Sequence, residues 1–343
     1  MRTYAPTSLA LLGLLSFSGN ASAVCDDALV TNATELSAAV DDYNANCGDG
    51  ETLTVTLSGA IMASSGIPTI NNSSTAVLEF RDGAILGDGT GRLCQFTAGN
   101  VIFERVLLSG FSGNNGGIGR VRAAATLTIN NSTLTGNSAT SGALFSNNGT
   151  ITLTNSTASG NTRITNGGAI FNFSGSTLNL NNSILANTVN GAGDPVEDCL
   201  ANNGSTVNFS AGLSNIIETE TDGNSTCDPN GLTRRTDPGL EPLNDNGGLI
   251  QTFALAAGSP AIDAGQDTAA VDADGAPLST DGRGAGFPRI VGTSVDIGAF
   301  EAAAPAPSAD TVTVPTLGPL GIALAGLLAA AALTRIRQFR HPR

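Results

Sequence analysis

Carboxylates are the side chains of this sequence with the clearest capacity for chemistry, and they are unevenly placed. Glu79, Asp82, Asp88 and Glu104 precede an interval of 89 residues without Asp or Glu, which ends at Asp194. Two carboxylates could hydrolyse a glycosidic bond, with one of them protonated as the general acid. Because Asp82 and Asp88 each precede glycine, however, the pattern is more typical of turns. The sequence therefore predicts no catalytic residue and no enzyme activity.

Other charged groups also favour structural roles. Asp272, Asp274 and Asp281 could surround a calcium ion, but their spacing differs from that of an EF-hand loop, and Asp-Gly is a common turn pair. We predict turns there, no metal site and no cofactor. A basic stripe that contacts an anionic glycan could form from three arginines, although isolated solvated side chains are the simpler interpretation: Arg120, Arg122 and Arg163.

The composition excludes several functional classes. The 343 residues include 15 basic and 29 acidic side chains, for a net charge of −14. This acidity argues against binding nucleic acid through its phosphates. The single histidine, His341, lies three residues from the C-terminus, so an internal Ser-His-Asp triad or His-ligated zinc site is excluded.

Both ends of the chain have the pattern of export segments. Arg2, an apolar run and the small residues up to Ala23 predict a secretory signal peptide cleaved after residue 23. The uncharged stretch 317–333 is followed by four arginines, which predicts a transmembrane helix with its arginines on the cytoplasmic side. Removing 1–23 and 335–343 deletes five arginines and no acid, which leaves ten basic and 29 acidic residues and a net charge of −19.

Export makes disulfides the expected state of the cysteines. Cys199 and Cys227 bracket a Gly/Asn-rich stretch, and Cys25 and Cys47 flank a predicted helix. We predict both pairs to be bonded. Cys94 is left as a buried thiol or as a partner of an N-terminal cysteine.

An internal repeat is the strongest signal in the sequence. The stretch 126–137 (TLTINNSTLTGN) returns at 150–161 and 177–187, so that Ser132, Ser156 and Ser183 lie 24 and 27 residues apart. A variable period in the mid-twenties indicates coils of a parallel β-helix, in which turns absorb changes in length. Inward aliphatic residues such as Leu127 and Ile151 should stack in columns through six or seven coils.

Two groups of asparagines recur with the repeat: Asn131, Asn155 and Asn182, and then Asn137, Asn161 and Asn187. Asparagine tolerates left-handed backbone geometry and can bond to the same residue in the next coil, which predicts structural ladders rather than glycan sites. Upstream, 34–46 has one apolar helical face and predicts a cap on the first coil. Downstream, 194–310 holds 18 of the 29 acids and predicts turns docked on the C-terminal end of the rod.

These segments resemble known families. The repeats resemble right-handed parallel β-helix proteins of the pectin-lyase-like superfamily. GSPAIDAG (258–265), DGRGAGFPR (281–289) and VDIGAFE (295–301) are similar to the choice-of-anchor Q domain. The residues Val314, Pro315, Thr316 and Leu317, with the apolar helix and arginines behind them, resemble the IPTL-CTERM sorting tail of Gram-negative bacteria. The resemblance implies an exported protein whose C-terminal tail is cleaved by a sorting protease. If the tail is not cleaved, the protein remains a single-span membrane protein.

The sequence thus predicts an all-β protein in six segments: signal peptide (1–23), helical cap (24–49), right-handed parallel β-helix (50–218), acidic module (219–301), linker (302–313), and sorting motif with transmembrane helix and Arg-rich tail (314–343). Its predicted function is that of a non-enzymatic, adhesin-like protein, at the cell surface or secreted, that contacts glycans or matrix. The alternative is a polysaccharide lyase or glycoside hydrolase that uses the few carboxylates of the early coils.

Overall fold

The computed structural model describes residues 25–303, except for residues 211, 221–226 and 229. This part of the chain is an all-β parallel solenoid of about seven turns, with one α-helix at its N-terminal end, which confirms the predicted parallel β-helix. Its elements are β1 (Ala28–Val30), α1 (Ala33–Asn46), β2 (Thr52–Met62), β3 (Ile70–Asn71), β4 (Val77–Leu86), β5 (Cys94–Ser109), β6 (Ser112–Asn115), β7 (Gly119–Asn130), β8 (Thr133–Thr135), β9 (Ser138–Ser141), β10 (Phe145–Asn147), β11 (Thr150–Thr154), β12 (Thr157–Ser159), β13 (Thr162–Asn166), β14 (Ile170–Asn172), β15 (Thr177–Asn181), β16 (Ile184–Ala186), β17 (Cys199–Ala201), β18 (Thr206–Phe209), β19 (Ile216–Ile217) and a 3-10 turn (Asp267–Ala269).

Aliphatic columns fill the interior of the solenoid, as the repeat predicts. Ile151 of β11 pairs in parallel register with Leu127 of β7 on one side and with Leu178 of β15 on the other. All three side chains are fully buried. Removing a side chain of this size from water stabilises the fold by about 2 kcal/mol. The same column extends over seven coils: Leu53, Leu78, Val101, Leu127, Ile151, Leu178 and Val207.

A serine ladder lines one corner of the coils. The Ser132 hydroxyl accepts the Val106 N–H at 3.0 Å, and the Ser156 hydroxyl accepts the Ser132 N–H at 3.2 Å. Ser183 continues the pattern by accepting the N–H of Ser156 at 3.3 Å. Each hydroxyl also donates to a backbone carbonyl of its own coil. These buried serines therefore satisfy backbone donors that the strands leave open at the corner.

The first group of asparagines adopts the expected backbone, but its side chains do not form a ladder. Asn131, Asn155 and Asn182 have φ between 45° and 47°, in the left-handed region. The amide of Asn182 donates to Gln266 O at 2.9 Å and accepts the Gln266 N–H at 2.7 Å, so it bonds to the C-terminal part of the chain. The buried amide of Asn155 has no hydrogen-bond partner within the described residues. The prediction of mutual bonds in this group was therefore wrong.

The second group is a ladder with one member misassigned. Oδ1 of Asn161 accepts the Asn137 N–H at 3.0 Å, and Asn137 Nδ2 donates to the same oxygen at 3.2 Å. Asn187 does not continue this ladder, because Ser159 pairs with Ala186 and Asn187 is therefore level with Gly160. Asn187 has φ 56° and Gly160 has φ 67°, so the asparagine replaces a glycine at a left-handed position.

Helix α1 covers the first coil. Asn32 caps it by accepting the N–H groups of Thr34 and Glu35, both at 3.0 Å. Its buried face includes Tyr43, whose hydroxyl donates to Ala76 O at 3.1 Å. The Cys25–Cys47 disulfide joins the chain before the helix to its C-terminal end. Helix α1, held by this disulfide, covers the apolar cross-section at the N-terminal end of the solenoid.

Both predicted disulfides, Cys25–Cys47 and Cys199–Cys227, are confirmed. Such bonds persist in oxidising, extracellular environments. Cys94 is a free and fully buried thiol, which decides between the two alternatives left by the sequence. Among residues 25–303, apart from the gaps given above, no helix is long and apolar enough to cross a membrane. The predicted signal peptide, sorting motif and helix 317–333 lie outside the described residues.

The C-terminal segment, residues 230–303, does not dock on the end of the rod. It runs back along one side, where Ile250 packs on Ala84 and Leu107, while Ala261 and Ile297 pack on a second cluster near the last coils. Five outward positions lie buried beneath it: Leu107, Thr133, Thr157, Ile184 and Ile216. The prediction of docking at the C-terminal end was wrong, because these coils carry apolar side chains on their outer as well as their inner side.

Candidate functional site

The motifs of the C-terminal segment form a buried ionic network, which we call the latch: Asp281, Arg283, Arg289, Asp296 and Glu301. Arg289 Nη2 donates to Glu301 Oε2 at 2.9 Å, and both side chains are completely buried. The Glu301 carboxylate also accepts the N–H groups of Val291 and Asp296, at 2.8 and 2.9 Å. Each charge in this pair is therefore matched inside the protein, as burial requires.

Arg283 and Asp281 of the latch also have their partners inside the protein. Arg283 donates to both carboxylate oxygens of Asp281 and lies between the rings of Phe287 and Phe300, at 4.1 and 3.9 Å from their centroids. Asp281 also accepts the Glu301 N–H at 2.8 Å. Asp281 is thus engaged in structure and is unavailable for a calcium site with Asp272. No group of three or more His, Cys, Asp and Glu side chains within the described chain is placed to hold a metal ion.

Where the segment meets the early coils, it forms a charged cleft of about 360 Å³. Four carboxylates and two guanidinium groups line this cleft: Glu79, Glu104, Asp272, Asp274, Arg81 and Arg105. The solenoid contributes the glutamates and arginines from β4 and β5. A turn contributes the aspartates, with the Asp272 carboxylate accepting the N–H groups of Asp274 and Ala276. This cleft is therefore assembled from two distant parts of the sequence.

Inside the cleft, acids and bases alternate. Arg81 Nε lies 3.5 Å from carboxylate oxygens of both Glu79 and Asp82. Arg105 donates from Nε to Asp82 at 2.7 Å and from Nη1 to Glu104 at 2.8 Å. Burial raises the pKa of Glu79 and of Glu104, while the neighbouring arginines lower both in part. This arrangement can hold a proton on a carboxyl group, but each glutamate already has an ionic partner.

The sequence located part of this cleft. Glu79, Asp82 and Glu104 are brought together as neighbours, whereas Asp88 is apart from them and bonds to the N–H and hydroxyl of Thr90 in a turn. The contribution of Asp272 and Asp274 was missed. Nothing in their spacing signals an approach to residues nearly two hundred positions earlier.

A second candidate site is a flat polar surface beside the cleft, which we call the ladder face. It consists of outward side chains of β7, β11, β15 and β18, paired in register: Thr126, Thr128, Thr150, Thr152, Thr177, Asn179, Thr206 and Asn208. Asn179 donates to the Thr152 hydroxyl at 2.9 Å, and Asn208 donates to Asn179 at 2.8 Å. The face is uncharged over four coils, half-buried in its middle and exposed at its last strand.

The chain matches no protein-family model, no curated protein and no solved structure. The resemblances to the choice-of-anchor Q domain and to the IPTL-CTERM tail therefore have no support from a family match.

Buried carboxyl groups predict that this protein is more stable at mildly acidic pH. Burial raises the pKa of Asp198 to about 6 and that of Glu301 to about 7. Both values exceed those of the unfolded chain, about 3.9 and 4.3. The native state therefore binds more protons than the unfolded state between these limits, and its stability falls as pH rises through 6 and 7. We expect Tm to be about 5 °C higher at pH 5 than at pH 8.

Thermal unfolding followed by circular dichroism in matched ionic strength measures this shift. An Asp198→Asn variant, which removes one titrating group, should show a smaller difference between the two pH values. A Tm that falls between pH 8 and pH 5 would contradict the prediction.

Proposed function

We propose that this protein is an exported, non-enzymatic surface protein whose ladder face binds a polysaccharide. The observation that supports this proposal is the regular, uncharged array of hydroxyl and amide groups over four coils. Successive coils repeat about every 4.8 Å and alternate residues about every 6.7 Å along a strand. An array of this kind presents the same donors and acceptors many times, which suits a polymer of repeating hydroxylated units.

The geometry supports an extended ligand over a small one. The ladder face is flat and lies on the outside of the coils, whereas a small ligand is normally held in a concave pocket. Each sugar contact on such a surface is weak, and affinity comes from many units engaged along one chain. The two disulfides are consistent with a place outside the cytoplasm, where such polymers occur.

Affinity electrophoresis in gels that contain neutral polysaccharides tests the proposal. A Thr128→Ala/Thr152→Ala/Asn179→Ala variant removes the centre of the face, and we expect about tenfold weaker binding. A control with Thr165→Ala and Asn166→Ala changes exposed polar residues of β13, away from the face, and should bind normally. Equal binding by the triple variant and the wild type would refute the proposal, as would no retardation in any polymer of the panel.

The cleft supports a second candidate function, a glycoside hydrolase. Glu79 pairs with Ile102, two residues before Glu104, so these glutamates are diagonal neighbours on adjacent coils, and both line the cleft. Hydrolysis of a glycosidic bond needs such a pair of carboxyl groups, one of them protonated. Against this function, Arg105 and Asn131 both donate to Oε1 of Glu104. Turnover of any polysaccharide by the wild type that Glu79→Gln or Glu104→Gln abolishes would replace the non-enzymatic proposal.

A further inference from the structure

Three arginines of the described chain lack a carboxylate partner and lie together. Six other arginines form ion pairs with acids: Arg81, Arg105, Arg163, Arg235, Arg283 and Arg289. Four form none within the described residues: Arg234, whose Nε donates to Leu213 O, and then Arg92, Arg120 and Arg122. Arg120 and Arg122 lie within the 89-residue interval without Asp or Glu, and Arg92 lies upstream of it, between Asp88 and Glu104. We call these three residues the arginine cluster.

Strand register places the cluster on one side of two adjacent coils. Arg120 of β7 is opposite Gln95 of β5, and Arg92 lies two residues before the start of β5. Arg122 follows Arg120 by two residues, and the buried Val121 between them points inward, so both arginines point outward. The pKa of Arg120 is lowered by burial and then by the positive charges of Arg122 and Arg92, which agrees with their closeness.

Arg120 is also incompletely bonded. Its Nε is buried without a hydrogen-bond partner, and its Nη2 reaches only Asn148 Oδ1, at 3.5 Å. A guanidinium group carries five N–H donors in a planar fork, which suits the oxygens of an anion. Residues 24–334 have a net charge of −19, so a cluster of arginines without carboxylate partners is an exception in an otherwise acidic chain.

We propose that the arginine cluster binds a phosphate or sulfate ester carried by the polysaccharide of the ladder face, an inference that rests on the proposed function. An ester of this kind presents several oxygens to more than one guanidinium group, and a phosphate monoester carries close to two negative charges. Strand β7 holds both sites, because Thr126 of the ladder face follows Arg122 by four residues, across a register shift, at a distance of at most about 13 Å. One polymer chain can therefore contact hydroxyl and amide groups on the face and place its anionic group at the cluster.

The test compares dextran sulfate, polygalacturonate and uncharged dextran as probes, each measured by affinity electrophoresis at low and high salt. Arg92→Gln/Arg120→Gln/Arg122→Gln should weaken binding to dextran sulfate at least about tenfold and leave binding to dextran unchanged. Arg120→Lys keeps the charge but removes the planar fork, and we expect a loss of about threefold. The single variants Arg120→Gln and Arg163→Gln are also compared, since each removes one positive charge. Arg163→Gln is the control, because Arg163 is already paired with Glu197.

The two proposals fail in different ways. Weaker binding of both dextran and dextran sulfate by the Thr128/Thr152/Asn179 variant, with no effect of the arginine changes, would overturn the anion site and leave the ladder face intact. Loss of dextran sulfate binding in the arginine variants alone, with no retardation by dextran or any other neutral polysaccharide of the panel, would refute the ladder face and support the anion site. Equal effects of Arg163→Gln and Arg120→Gln would show that net charge alone matters and would overturn the site, as would equal dependence of polygalacturonate binding on the cluster. Tm measurements confirm that each variant is folded.

Discussion

Replacement of Arg289 by methionine is expected to lower the free energy of unfolding by about 3–5 kcal/mol. The change leaves the buried carboxylate of Glu301 without its cation, in a site that water does not reach. Arg289 also donates to the backbone oxygens of Asp296 and Gly298, at 3.2 and 3.0 Å, and those acceptors lose their donor as well. Because the latch holds residues 281–301 together, we expect the C-terminal segment to detach before the solenoid unfolds.

Denaturant unfolding and limited proteolysis check this prediction together. The variant should show early cleavage within 230–303 while the coils remain protected. Adding Glu301→Gln to Arg289→Met removes the unpaired charge and should restore at least half of the lost stability. Arg81→Met is the matched control, because its contacts of 3.5 Å are partly exposed and such pairs are worth less than about 1 kcal/mol. Equal losses for Arg81→Met and Arg289→Met would show that the latch has no special role.

Truncation of the core column is expected to be similarly severe. Ile151→Ala should cost about 2–5 kcal/mol, because the site is fully buried between Leu127 and Leu178 and regularly paired strands have little freedom to close the cavity. The neighbouring Thr152→Ala alters an outward side chain of the same strand and should change stability by no more than about 0.5 kcal/mol. Chemical denaturation of both variants provides the comparison. Similar values for the two changes would mean that the column is not the main source of stability in this coil.

The solenoid was predictable because its signals are local and repeated. Leu127, Ile151 and Leu178 recur with the period of the coil, and their pairing follows from that period. Helix α1 and the disulfides were equally predictable, since a cap residue, an apolar helical face and flanking cysteines are close in sequence. Two errors fall within the repeat. The side chains of Asn131, Asn155 and Asn182 do not bond to one another, and Asn187 replaces a glycine, so that Thr188 is level with Asn161.

The path of the C-terminal segment could not be predicted in the same way. Many of its polar contacts with the coils use backbone groups, as when the Ala299 N–H donates to the Thr157 hydroxyl at 3.0 Å, and any residue except proline supplies an N–H. The acidic motif at Asp281 suggested turns or calcium, because nothing in the sequence indicated that Arg283, two residues later, is its ionic partner. The charged cleft could not be predicted from the early coils or from the C-terminal segment separately. Asp272 and Asp274 approach Glu79 and Glu104 only because the segment turns back along the rod.

The return of the C-terminal segment along the rod sets an order of folding. Neighbouring coils join residues about 25 positions apart, as Asn137 and Asn161 show with a separation of 24, and such pairs can form one after another. Asn131 and Arg289 are 158 positions apart. Until the C-terminal segment has folded back, the outer side chains of Leu107 and Ile184 have no cover. The partly folded rod therefore carries an apolar stripe that favours aggregation.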